Sequence, residues 1–389
     1  MKIEEVRDAH TKKEFIRLPL KIYKDLPQWI RPLDKDVEGV FDPDKNKSFR
    51  HGEAIRWILV NDQGETIGRV AAFINQKTVN KDNDQPTGGL GFFECIPDKD
   101  AAFRLFDQCK TWLAGKGMEA MDGPVNFGER NDWWGLLADG FDKEPNYRCN
   151  YNPEYYREFF EDYGFQVYFK QLTFGRKVMD PLVEKIYDKA SRIRQNPKYT
   201  FTTLDMKKME LYTDYFREIY NKAWSKHKGV PLLTGLQAKN VMKQLKPLID
   251  PKIMFFAFYE GEPVGFFVMI PEVNQIFKYV NGRLNLMGKL KFVWHRYRKS
   301  CRKMLGLVFG IVPEHHGKGL EGAIVMESRD LLQESYRRYD DLEMNWIGDF
   351  NPKMIHMVEQ IGGVVTKTHV TYRYLFDQTR PFRRYTMID

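Results

Sequence analysis

Between Gly310 and Val325 the sequence reads GIVPEHHGKGLEGAIV. An apolar run ends at Pro313, two histidines and Gly-Lys-Gly follow, and a helix-like apolar run begins. The first N–H groups of a helix have no partners inside it, and the helix dipole gives that end positive character. Glycines let the backbone approach a bound anion and adopt positive φ. Lys318 adds a positive charge. Such a turn can hold a pyrophosphate on main-chain donors. Neither G-x-x-x-x-G-K-[ST] nor G-x-G-x-x-G is present, so two common phosphate loops are excluded. A surface loop with two glycines at a helix start fits the same residues. Glu321 brings a carboxylate to the place a phosphate would take. Like charges about 4 Å apart cost about 1 kcal/mol in water and about 4 at intermediate dielectric. The turn tolerates Glu321 if it points outward and is damaged if it points in.

The elements that position this turn occur twice. At an offset close to 197, FIRLPLKIYK at Phe15 lies over YTDYFREIYN at Tyr212, and GETIG at Gly64 lies over GEPVG at Gly261. NPEYYREFFEDYGF at Asn152 has its counterpart in NPKMIHMVEQIGG at Asn351. In the second half KKMELYTDYFREIYNKAW has helical spacing, and KIMFFAFYEGEPVGFFVMI reads as two strands around a glycine turn. KMLGLVFGIV is a strand before a helix from about Lys318 to Tyr336. DLEMNWIG is a strand, NPKMIHMVEQIG a helix closed by Gly362, and GVVTKTHVTYRYLF a final strand pair. The order is the same in the first half, but there CIPDKDAAFRLF joins strand to helix without the glycines. The second half alone carries a strongly basic insertion, KLKFVWHRYRKSCRK, from Lys289 to Lys303. The expected class is α/β (α+β): two domains, 1–180 and 200–389, with mixed, mostly antiparallel sheets flanked by helices. A polar join without clear period, containing RIRQNPKYT, lies between them.

Size and composition agree with two such domains. The chain has 389 residues, of which 42% are hydrophobic and 14% aromatic, enough for sizeable cores. The net charge of +8 points to an anionic partner without choosing among phosphorylated cofactor, nucleic acid and membrane surface. The charged start, MKIEEVRDAH, does not read as a secretory signal, and no run reaches the roughly 20 apolar residues of a membrane span. Cys95, Cys109, Cys149 and Cys301 are scattered, so neither a disulfide frame nor a metal site is expected. These features predict a cytoplasmic protein.

Strand, V-x-x-x-x-G-x-G, helix, Trp-containing strand, then an Asn-led helix ending in glycine: this order resembles the GNAT acyltransferase superfamily. His316 stands at the Gln/Arg position of the superfamily's turn, Gly319 at its first glycine and Glu321 at its final Gly/Ala. EMNWIGDFNPKM resembles the fifth strand and the helix after it, and KTHVTY the closing strands. The first half resembles the same fold without its cofactor turn. The resemblance implies a tandem GNAT protein of the uncharacterised bacterial kind, a CoA-dependent N-acyltransferase using acetyl-CoA or another acyl-CoA. The strand before the turn would pair with the pantetheine arm, so the implied cofactor residues are Ile311, Val312, His316, Gly317, Lys318, Gly319, Leu320 and Asn351. Asn351 before Pro352 also reads as an ordinary helix cap.

Acyl transfer needs a deprotonated amine. Glu343 and Asn345, on one face of the fifth strand, and Asp349 after it are the candidate catalytic groups. His316 is expected to brace the turn and His315 to be exposed. Val358 occupies the position of the superfamily's general-acid tyrosine, which leaves Tyr372 or water for the leaving thiolate. In NFGERNDWWGLL, residues Asn126, Arg130, Trp133 and Trp134 could line the pocket of a small-molecule or peptide amine. Two other readings are compatible: a Fem-type transferase that uses aminoacyl-tRNA, which would give the basic surface a nucleic-acid partner, and a GNAT-fold binding protein without chemistry. The retained glycine turn argues against the first; Glu321 and Val358 favour the second.

Overall fold

The computed structural model describes residues 1–81, 83–181, 183–224 and 232–387. Its strands are β1 (Lys2–Glu5), β2 (Gly52–Val60), β3 (Thr66–Asn75), β4 (Thr87–Cys95), β5 (Ala120–Gly123), β6 (Leu136–Asp139), β7 (Gln166–Lys177), β8 (Tyr199–Thr203), β9 (Met254–Tyr259), β10 (Glu262–Pro271), β11 (Lys303–Ile311), β12 (Asp341–Gly348) and β13 (Val364–Leu375). Its helices are α1 (Ala9–Ile22), α2 (Asp34–Val40), α3 (Lys99–Gly115), α4 (Tyr156–Tyr163), α5 (Glu184–Gln195), α6 (Met209–Trp224), α7 (Gly235–Leu245), α8 (Asn274–Phe277), α9 (Leu286–Tyr297), α10 (Leu320–Asp330) and α11 (Pro352–Gln360).

The strands form one sheet in the order β1-β2-β3-β4-β5-β13-β7-β12-β11-β10-β9-β8, with β6 also paired to β13. Each half contributes four antiparallel strands that lead into a parallel pair, β4–β5 in the first half and β11–β12 in the second. The last strands of the two halves are exchanged. β7 leaves the first half and pairs with β12, while β13 leaves the second half and pairs with β5. β7 and β13 then pair with each other from Val364↔Gly175 to Arg373↔Gln166. The closing segment, expected as two strands, is one strand of 12 residues because both its edges are occupied.

Two large apolar clusters lie on this sheet. One is built around Phe160, Phe106 and Tyr372 in the first half, the other around Phe256, Phe266 and Leu320 in the second. Burying a phenylalanine contributes about 1.5–3 kcal/mol relative to leaving it exposed. Within the polar join, residues 184–195 form a helix, α5, whose Ala190 and Ile193 are buried. It packs on α10. No helix among the described residues is long and apolar enough to cross a membrane, and no group of three or more metal-ligating side chains is present among them.

Candidate functional site

The parallel pair of the second half holds register from Lys303↔Asp341 to Gly306↔Met344 and then separates. Beyond that point β11 stays with β10 and β12 stays with β7, so a wedge opens between Leu307 and Asn345. Leu307 is exposed, and Phe309, Asn345 and Trp346 are half-buried. The first half's parallel pairing also ends, at Gly89↔Asp122, but there the chain stays on β4, the Val125 N–H donating to the Leu90 carbonyl at 2.7 Å, and the wedge beyond is filled from within. At the end of β4 the Cys95 N–H donates to the Tyr156 hydroxyl at 2.8 Å, and the Tyr155 hydroxyl donates to the Cys95 carbonyl at 2.9 Å. Below them the buried Glu94 carboxylate accepts from Tyr23 and Tyr156 and pairs with Arg69. The Asn152 repeat sets Tyr155 and Tyr156 against Met354 and Ile355, whose side chains carry no hydroxyl.

The turn that follows β11 is narrower in capacity than its sequence implies. Gly317 and Gly319 have positive φ, 71° and 101°, and Lys318 is exposed. A Cβ on Gly319 would lie 2.7 Å from Lys189 Cβ, and one on Gly322 would lie 2.4 Å from Ile186 Cγ2, both on α5. These glycines are therefore where one helix closes on another. Glu321 does not point away from the turn: its Oε1 lies 3.5 Å from the Gly317 N–H. His316 braces the turn through an Nε2 contact of 2.8 Å with the Ile311 carbonyl. His315, expected on the surface, is buried, because Tyr199 at the start of β8 bonds its Nδ1 at 2.6 Å and Tyr259 packs against its ring. Val312 and Leu320 are core residues, and Asn351 caps α11 by accepting from the Met354 N–H.

On the sheet face away from α10 and α11 lies a buried polar cluster. Glu343 on β12 pairs with Lys367 of β13 at 2.7 Å and with Lys303 of β11 at 3.1 Å. Asn146, from the first-half segment that roofs this face, donates to Glu343 at 2.7 Å and to Asn345 at 2.6 Å. Asn345 in turn donates to the Cys149 sulfur at 3.2 Å. Burial pushes the Glu343 carboxyl up, but the two ammonium groups and its hydrogen bonds outweigh this and hold it below the usual range. Burial lowers the Lys367 ammonium and pushes the Cys149 thiol up to about 12. His369, bonded to the Asn150 carbonyl, is lowered by burial to about 4 and is neutral.

Glu272, at the end of β10, belongs to the same cluster. Its Oε1 accepts from the Tyr147 and Asn274 N–H groups, while Oε2 is buried without a hydrogen-bond partner. Burial raises its carboxyl to about 7. Sequence reasoning missed Glu272, Lys367 and Asn146. The available signal was a charged residue set among apolar or β-branched residues, as Glu272 is in FFVMIPEVNQIF and Lys367 in VVTKTHVT.

The other expected site residues are dispersed. Asp349 accepts from the Lys170 N–H and pairs with Arg384, fastening the C-terminal segment. The Tyr372 hydroxyl donates to Glu161, and its ring packs on Phe160 in the first-half core, so it does not join the wedge of the second half. Asn126 and Trp133 are buried in the first half. Arg130 and Trp134 do reach the second half's strand: Trp346 Nε1 donates to the Arg130 carbonyl at 3.2 Å, and Trp134 packs in the cluster that holds Trp346.

Among solved structures, a tandem GNAT protein of the clavulanic acid biosynthesis pathway superposes with a TM-score of 0.52 over 97% of this chain and 100% of that one, at 10% identity. The chain has a tandem GNAT fold. The glucosamine N-acetyltransferase region of a fungal multi-domain β-N-acetylglucosaminidase, a GCN5-related fold, gives a TM-score of 0.54 at 12% identity, over 96% of this chain and 38% of that chain. No family model matches the sequence. In sequence the chain is 27% identical over 366 residues to a protein named bacterial ceramide synthase from Caulobacter vibrioides, covering 92% of this chain and 94% of that protein. It is 26% identical over 367 residues to protein YghO of Escherichia coli, covering 92% of each.

Proposed function

We propose that this GNAT-fold chain is an N-acyltransferase that carries an acyl group from a thioester donor to the amine of a long-chain amino lipid. The observation that carries this reading is the pair of wedges. One is closed by Tyr155 and Tyr156, and the other is open along Leu307 and Phe309 at the place where the fold receives a thioester arm. The acceptor class rests on the relative named for making ceramide, the N-acyl derivative of a long-chain amino alcohol.

The residues fit the parts of an acyl-CoA unequally. The wedge suits the extended arm. The turn offers the exposed Lys318 and the open side of Gly317, while α5 covers Gly319 and Glu321 lies on the Gly317 N–H. When bound, the donor supplies an activated carbonyl and a thiol leaving group. Glu272 is the group suited to take the amine proton. Its carboxyl near 7 matches a general base at neutral pH, and its Oε2 is free to accept. Glu343 is held ionised between two lysines and orients Asn146 and, through it, Asn345.

The test is release of free thiol by the purified protein given a long-chain acyl-CoA and sphinganine, with the N-acyl product identified by mass. Thiol release that requires both substrates is expected. Glu321 and α5, which crowd the turn, favour a second reading, a GNAT-fold protein that does not acylate; no thiol release with any acyl-CoA and acceptor would support that one instead.

A further inference from the structure

The insertion between β10 and β11 presents a face that the fold does not cover. On α9, Leu286, Met287, Leu290, Val293, Trp294 and Tyr297 are 56–81% exposed. They recur at the spacing of one helix face. Only the opposite side is held. Phe292 stacks on Phe277 with ring centroids 5.4 Å apart, His295 stacks on Tyr279 at 3.8 Å, and Gly288 is buried. Six contiguous large apolar side chains facing water mark an interaction surface rather than an ordinary solvated helix.

The charge around this face is one-sided. Residues 273–313 hold nine lysines and arginines and no aspartate or glutamate; the chain's net charge is +8, so the remainder carries −1. The chain's basicity is therefore a property of this segment. No carboxylate among the described residues pairs with Lys289, Lys291, Arg298 or Lys299. At the foot of the helix a cavity of about 400 Å³ is lined by Arg31, Asn281, Arg283, Asn285, Met287 and Lys291. Three cations thus border a hollow beside the apolar strip, and the carboxylate beside them, Asp34, is already engaged by Arg31 at 2.8 Å.

We propose that α9 is an interfacial membrane helix. It lies in the plane of an anionic bilayer with Leu290, Val293, Trp294 and Tyr297 sunk among the acyl chains. A helix of 12 residues is about 18 Å long, and such faces enter the headgroup boundary by about 5–10 Å. Lys289, Lys291 and Arg298 meet lipid phosphates, and the basic cavity takes one headgroup. An RNA partner would satisfy the lysines but leave the apolar strip in water, whereas a bilayer satisfies both. The helix is also tied to the polar cluster: its insertion starts at Glu272, and Cys301 Sγ at its far end donates to the Glu272 carbonyl at 3.3 Å. The docking itself needs no catalysis and stands whether or not the chain transfers an acyl group.

Co-sedimentation of the full-length protein with vesicles tests this. Phosphatidylcholine vesicles containing phosphatidylglycerol are expected to pull the protein down, salt to weaken the binding, and phosphatidylcholine alone to bind poorly. The double variant Leu290→Glu/Val293→Glu should lose about tenfold or more in apparent affinity, and Lys289→Glu/Lys291→Glu should bind anionic vesicles several times more weakly. Both should keep the wild-type circular dichroism, because the altered side chains face solvent. Should the first variant fail to fold, quenching of wild-type fluorescence by bromine-labelled lipid, absent in Trp294→Phe, reads the same contact. Wild-type protein left in the supernatant with every vesicle would overturn the proposal. So would a wild-type dimer that becomes monomeric in Leu290→Glu/Val293→Glu without vesicle binding, or RNA binding that this variant leaves intact.

Discussion

At the scale of single residues, the buried carboxylates differ by their neighbours. Glu343 has two ammonium partners and is held ionised, whereas Glu272 has an unpartnered oxygen and a carboxyl raised to about 7. Removing Lys367 leaves Glu343 buried with one lysine. Lys367→Met is expected to cost about 1.5–3 kcal/mol, read by denaturant unfolding, because Glu343 keeps Lys303 but loses one of its two charge-assisted hydrogen bonds. For Glu272 the folded state holds its proton to higher pH than the unfolded chain does. Its contribution is therefore complete below the unfolded value near 4.5 and is lost as pH rises through about 7. Wild-type stability should fall by up to about 3 kcal/mol between pH 5 and 8 relative to Glu272→Gln, since keeping a proton to one pH higher is worth about 1.4 kcal/mol. His369, lowered to about 4, works in the opposite sense: its contribution is present above about 6.5 and is lost as pH falls toward 4. If Glu272 takes the amine proton, Glu272→Gln also lowers kcat by about 100-fold or more and removes the acid limb of the pH–rate profile. These residues were hard to find in the sequence because burial and partner charge, which set their chemistry, come from strands far apart in the chain.

At the scale of elements, the glycine turn shows what a motif can and cannot reveal. The strand, the turn, the helix and their repetition were legible from apolar period and punctuation. The reason for the glycines was not. A glycine that admits an anion and a glycine that admits a neighbouring helix look the same, and the helix in question, α5, lies in a segment whose polar composition hid its few buried residues, Ala190 and Ile193 among them. Gly322→Leu should separate α5 from α10 and cost about 1–3 kcal/mol, with faster proteolysis in the stretch around 184–195. Glu321→Gln removes a negative charge from the Gly317 N–H. It should tighten binding of any acyl-CoA by about fivefold, as measured by titration calorimetry, in line with relief of about 1 kcal/mol of like-charge repulsion.

At the scale of the whole molecule, the two halves are visible in the sequence as a repeat, and their interlocking is not. Exchange of β7 and β13 leaves local period unchanged, so nothing short-range records it. It makes each half's sheet depend on a strand of the other, and it brings Asn146 of the first half onto Glu343 of the second. Calorimetry of the intact chain should show one cooperative transition with equal calorimetric and van 't Hoff enthalpies. The same exchange gives the first half a purpose: with its own wedge plugged, it supplies the roof over the polar face of the second. The central claim is that the open wedge serves acyl transfer to a long-chain amine. Its most direct test is the purified protein incubated with a long-chain acyl-CoA and sphinganine. The account predicts thiol release and an N-acylated product that both disappear in Leu307→Trp, which fills the wedge. Undiminished product in Leu307→Trp, or no product from the wild-type protein with any acyl thioester and long-chain amine, would contradict it.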